Sequence, residues 1–422
     1  MFTNVWRRGR FAALIGVCVA VLATGAAAAS AAAAQPQPRA QARVPWKAVG
    51  PGWELAQYTN GTRSKHAPTT LYLVSPSGTR YPLYTWRASA GFAPGLIAWS
   101  GDKTRALFND NLQGQVGQLN LLTGTMSRFY LAGHASAVGY TLPDGLNILG
   151  VQTSGQVFTL ARYSLTGKLL KVLATSDSSA IPSVSGAYSA DGTTLAVSGA
   201  RGLRWISNSG RVIRRLPVPG TDPNMGCWPV RWWNAGTVLS SCFGKKYDVA
   251  RLWLVPANGA RPVALTPQRT PAGPDYGDLD AWRLPSGLYL QSAGACGTLE
   301  FNKQHANGSV TPVKVPGTLN VSTRIVTASG PWLLLDALTG CDAPSQSLLW
   351  FNPGTRAERW LFRTPASASG VEAVVPYFSL ADALYLLGGH VPRVRQNPGN
   401  TARRSARLTF EALTVAGSSR RP

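Results

Sequence analysis

Three observations predict an all-β fold arranged as a β-propeller of four-stranded antiparallel blades. The 422-residue chain carries 44 glycines and 30 prolines, as suits a fold with many turns. After residue 35, no long stretch sets apolar residues at helical spacing. One pair of hairpins recurs at a steady interval, and a four-stranded unit repeated without helices marks a propeller. Each unit has two apolar faces that only neighbours can cover, so closing the ring removes the open ends.

The first hairpin of each unit brings an aromatic or apolar strand to a short turn and sends an apolar strand away. The copies are WKAVGPGWELAQY from Trp46, WSGDKTRALF from Trp99, YTLPDGLNILG from Tyr140 and YSADGTTLAV from Tyr188. WWNAGTVLSS from Trp232, WRLPSGLYLQS from Trp282, VTASGPWLLL from Val326 and FSLADALYLL from Phe378 follow. The second hairpin turns at Gly78, Gly124, Gly167, Gly210, Gly259, Gly308 and Gly354, spaced by 46, 43, 43, 49, 49 and 46 residues. Glycine supplies the positive φ such turns need. Counting gives eight units, at about 46–86, 92–131, 135–175, 183–218, 227–267, 278–317, 321–365 and 371–417. Seven blades is the alternative, reached if the incomplete terminal units share one sheet. The 14 tryptophans are expected between blades.

The segments YSADGTTLAV and WSGDKTRALF resemble the aromatic-Ser-x-Asp-Gly core of TolB-type, tryptophan–aspartate-like propeller repeats. The resemblance spans most of residues 46–417 as a repeat pattern, although the unit at Val326 lacks both the aromatic residue and the aspartate. It implies the fold and leaves function open.

Residues 1–34 read as a secretory signal peptide. Arg7, Arg8 and Arg10 precede an apolar run from Phe11 to Ala23, and a stretch of small residues follows. Val17 before Cys18 does not suit a lipobox. Residues 35–45 then form a Pro/Gln/Ala-rich linker, and 418–422 a basic C-terminal end. The expected location is secreted or the extracytoplasmic cell envelope, with no transmembrane span in the mature chain and a monomeric state.

Export leaves Cys227, Cys242, Cys296 and Cys341, an even number in an oxidising compartment. With strands A to D running from axis to rim, Cys227 and Cys242 flank the A–B turn of the fifth unit symmetrically. Cys296 and Cys341 end strand B of neighbouring units. The expected bridges are Cys227–Cys242 and Cys296–Cys341. All four lie at the end of the ring that carries the B–C and D–A loops. Reinforcement there points to a binding face, with Arg63, Lys65, His66, Asn109, Asp110, Lys245, Lys246, Tyr247 and Asp342 as candidate contacts.

The net charge of +23 draws the chain to anionic polymers or headgroups. Nucleic acid is a poor fit without exposed aromatics interleaved among the cations. The basic cluster Arg201, Arg204, Arg211, Arg214 and Arg215 belongs to outer strands and reads first as a solvated face, then as an anion-binding patch.

Catalytic signatures are sparse. There is no Gly-x-Ser-x-Gly, and His66, His134, His305 and His390 are scattered without zinc-ligand spacing. The one acidic concentration is Asp275, Asp278 and Asp280 entering the sixth unit. Strand alternation would put Asp278 and Asp280 on one side, near the channel. That makes calcium the one cofactor to weigh, with none otherwise expected. These readings favour a non-enzymatic, exported binding module for a protein or an anionic envelope polymer. The alternative is a carbohydrate-active propeller, hydrolase or lyase, with the aspartates at the channel mouth.

Overall fold

A computed structural model of the chain describes residues 44–377, apart from 60–66, 88–93, 111–113, 156, 178–185, 190, 200–201, 218, 220–225, 244–248, 269–276, 295–297, 319–321, 339–345 and 365–369. The described residues form seven four-stranded antiparallel blades. In order A to D, blade 2 is Pro94–Trp99, Arg105–Asp110, Val116–Asn120 and Met126–Phe129. Blade 3 is Ser136–Tyr140, Ile148–Ser154, Val157–Tyr163 and Leu169–Asp177. Blade 4 is Gly186–Tyr188, Thr194–Gly199, Gly202–Ser207 and Val212–Arg215. Blade 5 is Gly226–Asn234, Thr237–Phe243, Arg251–Pro256 and Val263–Ala264. Blade 6 is Gly277–Leu284, Gly287–Ala293, Leu299–Gln304 and Val310–Pro312. Blade 7 is Ser322–Ser329, Trp332–Leu338, Gln346–Asn352 and Ala357–Phe362.

Blade 1 settles the count at seven. Its strands B, C and D are Glu54–Thr59, Pro68–Val74 and Arg80–Arg87, but its strand A is Gly370–Pro376. Glu54 pairs with Pro376 and Thr59 with Gly370, so the two ends of the domain share one sheet. The segment read as the first strand A is a 3-10 turn, Trp46–Ala48. The eighth sequence copy therefore supplies the strand that the first lacks. The hairpin from Phe378 lies outside the described residues.

The repeated turn has a local cause. In blade 4, Asp191 accepts from the Ser189 hydroxyl at 2.6 Å, the Thr193 amide at 3.0 Å and the Thr193 hydroxyl at 2.9 Å. In blade 2, Asp102 does the same for Ser100 and for the Thr104 amide and hydroxyl. In blade 3, Asp144 accepts from the Leu146 amide at 2.9 Å. A short acidic side chain satisfies the amides of a tight turn, so the aspartate recurs. The second hairpin repeats glycine for a second reason. At Gly167, φ is +90°, and a Cβ there would lie 2.2 Å from the carbonyl oxygen of Tyr130, in the connection that follows the preceding blade.

Packing follows the ring. Seven apolar clusters each straddle one blade-to-blade junction. Trp86 of blade 1 meets Phe108 of blade 2 edge to face at 5.8 Å, and Trp205 of blade 4 meets Trp232 of blade 5 at 5.7 Å. The junction between blades 7 and 1 closes the ring through Leu334, Leu348 and Phe362 against Ala56, Val371 and Val374.

Glu54 sits at this closure, fully buried, with no hydrogen-bond partner for either carboxylate oxygen among the described residues. Burial raises its pKa well above the ordinary carboxylate value. The folded chain then holds a proton that the unfolded chain releases. Stability from this group is full at acid pH and is lost as pH rises through the folded value. Glu54→Gln is expected to raise the melting temperature near pH 8 but not below about pH 4, where wild-type Glu54 is protonated in both states. An equal shift at both pH values would contradict this.

Candidate functional site

The ends of strands B and D and the starts of strands C and A lie at one end of the ring, and that end has a locked base. Cys227 and Cys242 are bonded and form a directly opposed cross-strand pair with Cα atoms 4.2 Å apart. Both are buried at the junction of blades 4 and 5. Sequence separation is 15 residues, so the chain-entropy value of the bridge is about 3 kcal/mol. Cys227→Ala with Cys242→Ala is expected to lower stability by that amount, read as a fall in the urea midpoint. Cys296 and Cys341 lie outside the described residues.

Carboxamides stitch neighbouring blades near the same end. Gln57 on strand B of blade 1 donates to the Pro94 carbonyl at 3.1 Å and accepts from the Leu96 amide at 2.8 Å, both on strand A of blade 2. Gln291 on blade 6 holds blade 7 in the same way, donating to the Thr323 carbonyl and accepting from the Ile325 amide. Asn109, expected as a ligand contact, makes the third such clamp. It donates to the Ala137 carbonyl at 2.7 Å and accepts from the Ala137 amide at 3.1 Å. Asp110 beside it is buried. These two residues belong to the base of the face. Arg63, Lys65, His66, Lys245, Lys246, Tyr247 and Asp342 lie outside the described residues.

The acidic cluster does not form as alternation predicts. A β-bulge at Leu279 makes Asp278 pair with Ser292 and Asp280 with Gln291. Ser292 and Gln291 are consecutive, so the two aspartates leave opposite faces of the strand. Asp278 is 1% exposed and accepts from the Ser292 hydroxyl at 2.9 Å. Its backbone joins blade 5, donating to the Ala250 carbonyl and accepting from the Ser241 hydroxyl. Asp280 is 3% exposed and pairs with Arg231 of blade 5 at 3.1 Å. Burial raises the Asp280 pKa, outweighing the attraction of Arg231. Arg231 in turn lies 3.9 Å from the centre of the Trp282 ring and 5.3 Å from that of Trp233. Both carboxylates are closed off from solvent, whereas a glycan-cleaving pair must reach its substrate. Asp275 lies outside the described residues. No three His, Cys, Asp or Glu side chains converge among the described residues.

One exposed group was missed by the sequence reading. In the D–A connection between blades 2 and 3, Tyr130 is 46% exposed and its ring meets His134 edge to face at 5.6 Å. Gln115, from the B–C connection of blade 2, donates to the Tyr130 hydroxyl at 3.0 Å. Gln152 of blade 3 approaches the Gly133 backbone so closely that a Cβ there would meet its amide at 2.6 Å. Buried Leu131 and Ala135 anchor the connection on either side, and the Ala132 amide donates to the Gly167 carbonyl at 2.8 Å. Its sequence mark is YLAGHA, two polar rings flanking a glycine between small or apolar anchors.

No family model matches the chain, and no curated protein matches it. Solved structures do. A putative 6-phosphogluconolactonase from Bacteroides uniformis is 14% identical with a TM-score of 0.46, over 76% of this chain and 99% of that one. A puromycin-hydrolysing peptidase from Mycobacterium tuberculosis is 15% identical with a TM-score of 0.47, over 73% of this chain. This chain spans about half of that peptidase, 53% of its length. TolB from Acinetobacter baumannii is 13% identical with a TM-score of 0.36, over 72% of this chain and 62% of that one. At these identities the likeness concerns the fold alone, and it carries no argument about activity.

Proposed function

We propose that the protein is an exported, non-enzymatic β-propeller that binds a protein or an anionic cell-envelope partner through its B–C and D–A loop face. The observation that carries this reading is the Tyr130–His134–Gln115 group, exposed on a base fixed by a disulfide and by interblade carboxamide clamps. Tyrosine offers an apolar ring and a polar tip, which suits recognition at modest entropic cost. On a rigid scaffold, connections recognise and the strands beneath them position, as the connection 130–135 sits on blades 2 and 3. No helix among the described residues is long and apolar enough to cross a membrane.

The test is capture from a cell-envelope extract at low and high salt, comparing the protein with a Tyr130→Ala/His134→Ala variant. The reading expects capture to fall at least about tenfold in the variant, the loss of one well-packed anchor contact. Salt-resistant capture identifies a protein interface, and salt-sensitive capture a polyanion. Undiminished capture by a folded variant contradicts the reading.

A further inference from the structure

The basic cluster of the outer strands is left unexplained by the loop face, and the structure gives it company. Leu169, Leu170 and Val172 of blade 3, Val212 and Ile213 of blade 4 and Val263 of blade 5 are between 37% and 61% exposed. All six lie on strand D, the outermost strand, of three consecutive blades. Most of the large exposed apolar side chains of the described residues are gathered there.

Cations alternate with them. Lys168 and Lys171 flank the blade 3 residues, and Arg211, Arg214 and Arg215 flank those of blade 4, all exposed. Arg215 stands directly across from Arg204 in the strand pairing, a like-charge pair that disfavours the apo sheet. None of the ion pairs among the described residues involves these side chains. The sequence has no Asp or Glu from residue 192 to 221 or from 249 to 274. The three strands are also in contact through their turns. A Cβ at Gly210 would touch Leu173 and Lys171, and Arg214 donates to the Asn258 carbonyl of blade 5 at 2.8 Å.

We propose that this rim of blades 3 to 5 docks on the surface of an anionic lipid bilayer. Cationic side chains take the headgroup phosphates, and the aliphatic ones enter the boundary below them. The residue types select this partner. A soluble polyanion gains nothing from six exposed aliphatic side chains. Nucleic acid is stacked by aromatic rings, and these three strands contain none. A single extended peptide adds to one sheet edge, whereas these residues are spread over three separate sheets. A broad surface meets all three. Blade 4 lies in the middle and contributes a strand exposed at every position.

The experiment is sedimentation with vesicles of phosphatidylcholine alone and of phosphatidylcholine mixed with phosphatidylglycerol. The protein is expected to bind only the mixed vesicles, less so at high salt. Arg214→Glu/Arg215→Glu should abolish binding. Val212→Ser/Ile213→Ser should weaken it by about tenfold or more, the loss of buried apolar groups. Both variants are checked by their melting curves. If either fails to fold, hydrogen exchange of Val212–Arg215 in the unaltered protein decides, and slower exchange on mixed vesicles is expected. Four results would overturn the proposal. They are no binding to mixed vesicles, unaltered exchange, full binding by the serine variant with displacement by inorganic polyphosphate, or a self-association removed by the serine variant without vesicle binding. The loop-face reading stands or falls separately.

Discussion

A chain cut after residue 369 is expected to lose its cooperative unfolding transition. The cut removes strand A of blade 1, Gly370–Pro376, and with it the ladder from Glu54–Pro376 to Thr59–Gly370. It also removes Val371, Val374 and Val375, all buried. Burying three valines contributes roughly 5–9 kcal/mol at about 1.5–3 kcal/mol each. Net stability of a domain is about 5–15 kcal/mol, so the loss rivals the whole. Both neighbours of the seam are then bared, because Val371 and Val374 pack against blade 7 and Val375 against the core shared by blades 1 and 2. Urea titration followed by tryptophan fluorescence reads the outcome. A sharp transition at the original midpoint would show that the strand is dispensable.

Asp280→Ala is expected to destabilise the fold by about 3–5 kcal/mol, the effect of leaving a buried charge without its partner. Arg231 would then sit almost wholly enclosed between Trp282 and Trp233 with no counter-charge. Asp280→Asn keeps an acceptor for the Ala281 amide, which the carboxylate now meets at 2.7 Å, and is expected to cost less. Removing both charges, with Arg231→Met and Asp280→Leu, is expected to recover much of the loss, because apolar replacements of similar volume fill a buried ion-pair site well. Denaturant midpoints for the three proteins test this. If the single and double variants fall equally, the pair is not coupled.

The repeat was legible because its causes are local. An aspartate that satisfies turn amides and a glycine at positive φ leave their marks at fixed positions, as at Asp191 and Gly167. The Cys227–Cys242 pairing is expected from a symmetric turn at Asn234–Ala235, but the hairpin turns at Ala235–Gly236, and two register shifts along strand A, between Pro229 and Arg231 and between Trp232 and Asn234, bring the two cysteines opposite each other. The blade number was left open between eight and seven, because strand exchange between the chain ends has no local mark. Gly370–Pro376 looks like any inner strand, and only its pairing with Glu54–Thr59 places it in blade 1. The side of Asp278 and Asp280 was misread because one bulge residue, Leu279, reverses the parity of everything beyond it. Asn109 looked like a loop ligand because sequence does not show which way a carboxamide at a strand end is bonded.

The central claim is that the two ends of the domain close one ring. Native-state hydrogen exchange on the Gly370–Pro376 strand, followed together with Glu54–Thr59, tests it most directly. Both strands are expected to exchange in a single step, at the free energy of global unfolding. Exchange of Gly370–Pro376 at the rate of an exposed tail, while the inner strands of the other blades stay protected, would contradict the closure.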